Sequence, residues 1–150
     1  KKVGFGVGKL VGFGGKMQAG ETVLQTAVRE LHEESSLITT EADLIPMAQL
    51  TFYFPAKPEW DLVVHGFLAP TWQGQLQESR EIHPVWMPLQ AIPYEQMWHD
   101  AQYWLPHVLA GEYVTAQFTF QADNDTLATW QISTNQTHDQ LKTAIKKFTN

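Results

Sequence analysis

The sequence predicts an α/β fold, as an α+β arrangement or a three-layer α/β/α sandwich with a mixed sheet, and three observations lead there. Apolar residues recur with helical period in a segment near the start. Runs rich in aromatic and β-branched residues, bounded by prolines and turn residues, mark strands further on. Helices and strands follow one another without a strict β-α-β alternation.

The helical segment is the clearest element. Thr22 and Gln25 have capping-box spacing, and Leu24, Ala27, Val28 and Leu31 recur at i, i+3, i+4 and i+7, which predicts a helix over 22–35. Before it, residues 3–15 alternate glycine with Val, Phe and Leu, a pattern for a short extended segment with tight turns. After it, runs at 47–54 and 61–69 are separated by Pro55 and Pro58 and predict a strand pair. "HPVWMPL" (83–89) reads as another short strand, and "DAQYWLPHVLAG" (100–111) as a helix stopped by Gly111. "EYVTAQFTF" and "TLATWQIS" predict a closing hairpin around "ADND". The final "HDQLKTAIKKFTN" places Leu141, Ala144, Ile145 and Phe148 on one helical stripe.

A chain of 150 residues, 43% hydrophobic, is long enough for one sizeable core and short for two, so residues 1–150 are expected to form a single domain. The net charge of -6, with Lys and Arg scattered, argues against a nucleic-acid polymer or an anionic membrane as partner. A nucleotide stays open, because its phosphates can arrive with their own cations. No cysteine occurs, which excludes disulfides and thiolate zinc sites and makes a reducing cytoplasm the expected compartment. No apolar run reaches the roughly 18 residues of a spanning helix. The chain opens on Lys1, without an initiator methionine, directly on "KKVGFGVGKLVGFGG", so a segment upstream of it is expected.

On the predicted helix, Glu30, Glu33 and Glu34 stand at i, i+3 and i+4 and share a face turned away from the apolar stripe. Like charges at that spacing repel, and acids late in a helix oppose the negative end of its dipole. A solvated acidic face is one reading. The other is a site for Mg²⁺ or Mn²⁺, which suit clustered hard oxygen ligands with no His or Cys among them and which bind phosphate oxygens in turn.

Spacing favours the second reading. Gly15, Glu21, Arg29-Glu30-Leu31, Glu33-Glu34, Ser36 and Leu37 match the pattern G-x5-E-x7-R-E-U-x-E-E-x-G-U, where U is a bulky aliphatic residue, at every position except the second glycine, here Ser36. This resembles the box of the Nudix hydrolases. The resemblance implies that Glu30, Glu33 and Glu34 are metal ligands with Gly15 bringing backbone to the metal, and that Glu21 and Arg29 brace the loop and helix. It also implies the Nudix α/β/α sandwich, with the first strand of its sheet lying upstream of this chain. Ser36 would occupy the left-handed helix exit usually given to glycine, at a cost of about 1 kcal/mol.

The resemblance reaches beyond the box. "KKVGFGVGKLVGFGGK", "FYFPAKPEWD", "QESREIHPVWMPLQAIPYEQMWHDAQYWLP" and "FTFQADNDTL" are similar, in order, to the branch of the family that hydrolyses oxidised purine nucleoside triphosphates. It covers about residues 1–135 and leaves the tail, 136–150, outside. In that branch the base sits among aromatic side chains, and the matching positions are Phe5, Phe52, Phe54, Trp60, Met97, Trp98 and Trp104. Asp100 matches the acid that reads the base, and its position also suits a helix N-cap. The base-contacting asparagine falls at Val11, and the second of two paired aspartates at Ala101, so polar reading of the base is weakened. Glu81 matches a position outside the box that approaches the metal.

The resemblance thus implies Mg²⁺-dependent hydrolysis of a nucleoside triphosphate to a monophosphate and pyrophosphate, with Glu33, Glu34 or Glu81 as base. Alternatives are a Nudix hydrolase of another nucleoside diphosphate linked to X, such as a dinucleoside polyphosphate or nucleotide sugar, and a non-catalytic nucleotide-binding module. His65, His83 and His99 have no metal-ligand spacing and are expected to be structural or surface residues.

Overall fold

The structure, a computed structural model, describes residues 1–135 and 139–149, with side chains as far as Lys146. The chain divides into two compact units, one formed by Lys1–Leu44 and Ala69–Met97, the other by Ile45–Leu68 and the chain from Trp98 onward.

The first unit is built around α1 (Val23–Ser35). Its start is the predicted capping box: the Thr22 hydroxyl accepts from Gln25 N–H at 3.2 Å, and the Gln25 side-chain oxygen accepts from Thr22 N–H at 3.0 Å. Two amide donors that the helix cannot satisfy internally are thereby paired. At the other end Ser36 keeps the left-handed conformation, φ 63° and ψ 8°, and its N–H donates to His32 O at 2.8 Å. The helix exit therefore retains the geometry that glycine would adopt without strain.

Upstream of α1 the alternating glycines form turns and no strand. Gly4, Gly6 and Gly8 all have φ between 77° and 82°, a region that side chains disfavour. Among the described residues, the run 83–89, expected as a strand, joins no ladder. Pro84 and Pro88 each remove a backbone donor from this short stretch. Val85 and Trp86 are left exposed, Trp86 packing on Trp72 with ring centroids 5.2 Å apart.

The second unit is a four-stranded mixed sheet of β1 (Ile45–Tyr53), β2 (Leu62–Leu68), β3 (Tyr113–Phe120) and β4 (Leu127–Asn135), in the order β2-β1-β3-β4. The two expected hairpins are present as antiparallel pairs. Between them β1 and β3 run parallel, with Ala48 beside Val114, Leu50 beside Ala116 and Phe52 beside Phe118. Because side chains alternate along a strand, this register puts one apolar row from each strand on the same face. Ala48, Leu50, Val114, Ala116, Phe118 and Phe120 are buried there, while Thr115, Gln117, Gln131 and Ser133 on the opposite face are exposed.

Two helices pack against this sheet. α2 (Ala101–Leu109) lies on β3 and buries Ala101 and Val108; it tolerates Pro106, and Gly111 beyond its end has φ 86°. α3 (Asp139–Thr149) packs on β1 and buries Leu141, Ala144 and Ile145, three of the four residues of the expected stripe. Phe148, the fourth, lies outside the described side chains, as does His138, where that segment was expected to open.

Candidate active site

In the first unit the box folds into a loop and helix laced by ion pairs. Arg29 extends from α1 between three carboxylates. Its Nε donates to Glu21 Oε1 at 2.6 Å and its Nη2 to Glu21 Oε2 at 3.0 Å, a two-point grip that ties the loop to the helix. Nη2 also donates to Lys16 O at 3.2 Å. Arg29 and the Gln18 N–H hold the Glu21 carboxyl well below its usual range, at about 2. Glu21 also accepts from the Thr26 hydroxyl at 2.9 Å.

The same guanidinium occupies two of the three clustered glutamates. Its Nη1 donates to Glu30 Oε1 at 2.7 Å and to Glu33 Oε2 at 3.1 Å. The bonds to Glu21 and Glu30 push the arginine further into its charged state. Gly15 is where the loop passes the Glu30 carboxylate: a Cβ built on Gly15 would stand 2.3 Å from Glu30 Oε1 and 2.8 Å from Oε2. A larger residue at Gly15 would require that carboxylate to move from its place beside Arg29.

Glu34 is organised differently. It is 4% exposed, and its Oε2 accepts from Gly14 N–H at 2.8 Å. Its Oε1 accepts from the Lys1 ammonium at 2.9 Å, and the same ammonium donates to Glu81 Oε2 at 3.2 Å. Burial draws the lysine pKa down, but the bonds to Glu34 and Glu81 outweigh it and leave the value raised. Backbone supports the meeting, since Lys2 N–H donates to Glu81 O at 2.7 Å. Lys1 is the functional candidate that motif reading missed. Its only signal was two adjacent lysines opening a stretch with no acidic residue before Glu21.

Among the described residues no three acidic or histidine side chains converge as a metal-binding group. The grouping expected for Glu30, Glu33, Glu34 and Glu81 is thus divided, two carboxylates turned to Arg29 and two to Lys1. The donor set still fits a hard divalent cation, because it offers carboxylate oxygens without sulfur or imidazole. Glu34 and Glu81 close on one cationic group, the Lys1 ammonium.

The residues expected around a base fall in both units. Phe5 is exposed, and Leu10 N–H donates to Gln96 O at 2.8 Å, which brings the segments carrying Val11 and Met97 side by side in the first unit. In the second unit Phe54 is closed into the core, stacked on Phe120 at 4.6 Å and edge-on to Trp60 at 5.8 Å. Phe52 stacks on Phe118 at 5.5 Å, and Trp98 meets Phe120 edge-on at 6.0 Å. Asp100, 4% exposed, does not cap α2. Its own backbone is already helical, at φ -66° and ψ -29°, so its carboxylate is not aimed at the first amides. It accepts instead from the Trp104 indole N–H at 2.8 Å, joining two of the expected base-site residues. Of the histidines, His83 meets Glu78 at 3.4 Å and His99 Nδ1 accepts from Leu127 N–H at 3.0 Å, while His65 lies on β2.

Residues 5–108 match the NUDIX domain family. The chain is 40% identical over 132 residues to the oxidized purine nucleoside triphosphate hydrolase of Mus musculus, covering 88% of this chain and 82% of that protein. It is 43% identical over 121 residues to the protein of the same name from Danio rerio, covering 81% of this chain and 76% of that one. The crystal structure of the MutT protein from Bacillus halodurans has a TM-score of 0.75 at 22% identity, covers 84% of this chain and 83% of that chain, and shares the α/β/α sandwich fold. Nudix hydrolases generally use divalent metal ions. The box, complete but for Ser36, is carried on the loop and helix that its spacing requires, and the chain belongs to the Nudix family as a Nudix hydrolase.

Proposed function

We propose that the protein hydrolyses oxidised purine nucleoside triphosphates to the monophosphate and pyrophosphate, with Mg²⁺ as the divalent ion. The observation that carries this reading is the pairing of Glu34 and Glu81 on one cation beside a box complete but for Ser36. The relatives named for that substrate class, similar along most of the chain, support it. A cytoplasmic nucleotide pool fits a cysteine-free chain of net charge -6 in which no described helix is long and apolar enough to cross a membrane. We take residues 1–150 as one catalytic domain, because the family match from 5 to 108 runs through both compact units.

In this reading Glu30, Glu33, Glu34 and Glu81, with the Gly15 backbone, would hold the metal once Glu30 and Glu33 turn away from Arg29. The ion would supply charge neutralisation of the polyphosphate and a more acidic attacking water. Arg29 remains on Glu21 and keeps loop and helix in register. The Gly14 N–H keeps Glu34 in place. One of Glu33, Glu34 and Glu81 takes the proton of the water. Within the second unit Phe52, Trp60, Trp98 and Trp104 supply apolar and stacking surface for the base, backed by the buried Phe54, with Asp100 as its polar contact.

The test is pyrophosphate release from a panel of normal and oxidised deoxynucleoside triphosphates with Mg²⁺, beside Glu34→Gln. Absence of release from every substrate, or an unaffected variant, would overturn the proposal. A second reading rests on Val11 and Ala101, which place no hydrogen-bonding side chain where base recognition would use one: another nucleoside diphosphate linked to X as substrate. The products of the same assay separate the two. Calorimetric nucleotide binding without metal-dependent turnover would instead identify a binding module.

A further inference from the structure

Among the described residues the Lys1 ammonium touches both Glu34 and Glu81, residues 33 and 80 positions away in the chain. The lysine side chain is 12% exposed and that of Glu34 5%, so the bond between them is shielded from water, whereas Glu81 at 56% closes the pair from the solvent side. Glu34 is fixed by the Gly14 N–H and cannot follow the lysine freely. Arg29, the other cation of the cluster, contacts Glu21, Glu30 and Glu33. The two acids are thus provided with a cation of the protein's own.

We propose that Lys1 is a resident counter-ion that competes with the divalent cation for the Glu34 and Glu81 carboxylates. This rests on the reading of those acids as metal-holding residues. The physical reason is that one carboxylate pair cannot satisfy an ammonium and a divalent ion at the same place. Lys1 must swing off both acids before a metal takes its position, and its charge repels the metal until it does. In exchange, Lys1 keeps a nearly buried carboxylate neutralised in the metal-free protein, where an unpaired charge would be costly. Metal affinity is consequently held below what the carboxylates alone would give.

The test is Mn²⁺ binding to the full chain without nucleotide, followed by electron paramagnetic resonance of the free ion. Lys1→Met, which keeps length and removes charge, is expected to bind the first Mn²⁺ about tenfold more tightly, the scale of two weak ion pairs no longer broken on binding. Lys1→Arg keeps the charge and is expected to stay near the parent value. As a measurement independent of any variant, acetylation at Lys1 Nζ, located by peptide fragmentation, is expected to rise when Mg²⁺ is added to the unaltered protein. Unchanged or weaker Mn²⁺ binding in Lys1→Met, or unchanged acetylation with Mg²⁺, overturns the inference. Nucleotide turnover accompanied by unchanged Mn²⁺ affinity in Lys1→Met would remove this inference and leave the hydrolase reading standing. Tighter Mn²⁺ binding in a protein that hydrolyses no nucleotide would do the reverse.

Discussion

The two units of the molecule are organised by different forces. In the first, charges set the local geometry: Arg29 gathers Glu21, Glu30 and Glu33, and Lys1 gathers Glu34 and Glu81. In the second, rings and branched side chains do so, with Val114 and Phe118 fully buried, Phe52 stacked on Phe118 and Phe54 on Phe120. Ion pairs are exchangeable, because each partner can be re-satisfied by water or another ion. A close-packed apolar cluster has no substitute for a missing ring. Residues placed for chemistry should therefore respond to substitution in activity, and residues of the aromatic sheet in stability.

The largest expected effect tests the first half of that contrast. Glu34→Gln should lower kcat/KM for pyrophosphate release by about a thousandfold, with a melting temperature close to the parent's. Equal loss of stability and activity would erase the distinction. Phe118→Ala tests the second half: removal of a fully buried ring should cost about 3–5 kcal/mol in urea unfolding, and Mn²⁺ affinity of the folded fraction should stay unchanged.

Gly15→Ala is an intermediate case, because its Cβ would displace the Glu30 carboxylate from its present position. Metal affinity or activity should fall by about tenfold to a hundredfold, with little change in unfolding. Val11→Asn asks whether polar reading of the base can be restored from the ion-organised unit, and selectivity for oxidised over normal purine substrates should rise by about tenfold.

The smallest effect is a pH dependence. Glu21 titrates at about 2 in the folded protein against an ordinary 4.5, so the folded carboxyl binds its proton less readily than the unfolded one. Its contribution is present above 4.5 and is lost as pH falls towards 2. Urea midpoints measured between those limits should fall less in Glu21→Gln than in the parent protein.

Much of the fold was legible because it depends on local periodicity. The capping box, the helix from 23 to 35, both hairpins and the helix stopped before Gly111 all follow from spacings of a few residues. The run 83–89 misled because its aromatic and β-branched residues look like a strand, whereas Pro84 and Pro88 withhold the donors a ladder needs. Asp100 stands where an N-cap would, and chain direction at that point turned its carboxylate to Trp104 instead.

By itself the sequence determined that Glu30, Glu33 and Glu34 share a helical face and that Arg29 lies one turn before Glu33, since helical geometry places residues a few positions apart whatever surrounds them. Only the tertiary structure decided that Lys1 joins Glu34 to Glu81, and that β1 and β3 pair in parallel. Those meetings join residues far apart in the chain, and no local period encodes them. They arise when the backbone path brings a buried carboxylate and a strand edge to partners that satisfy their charge and hydrogen bonds.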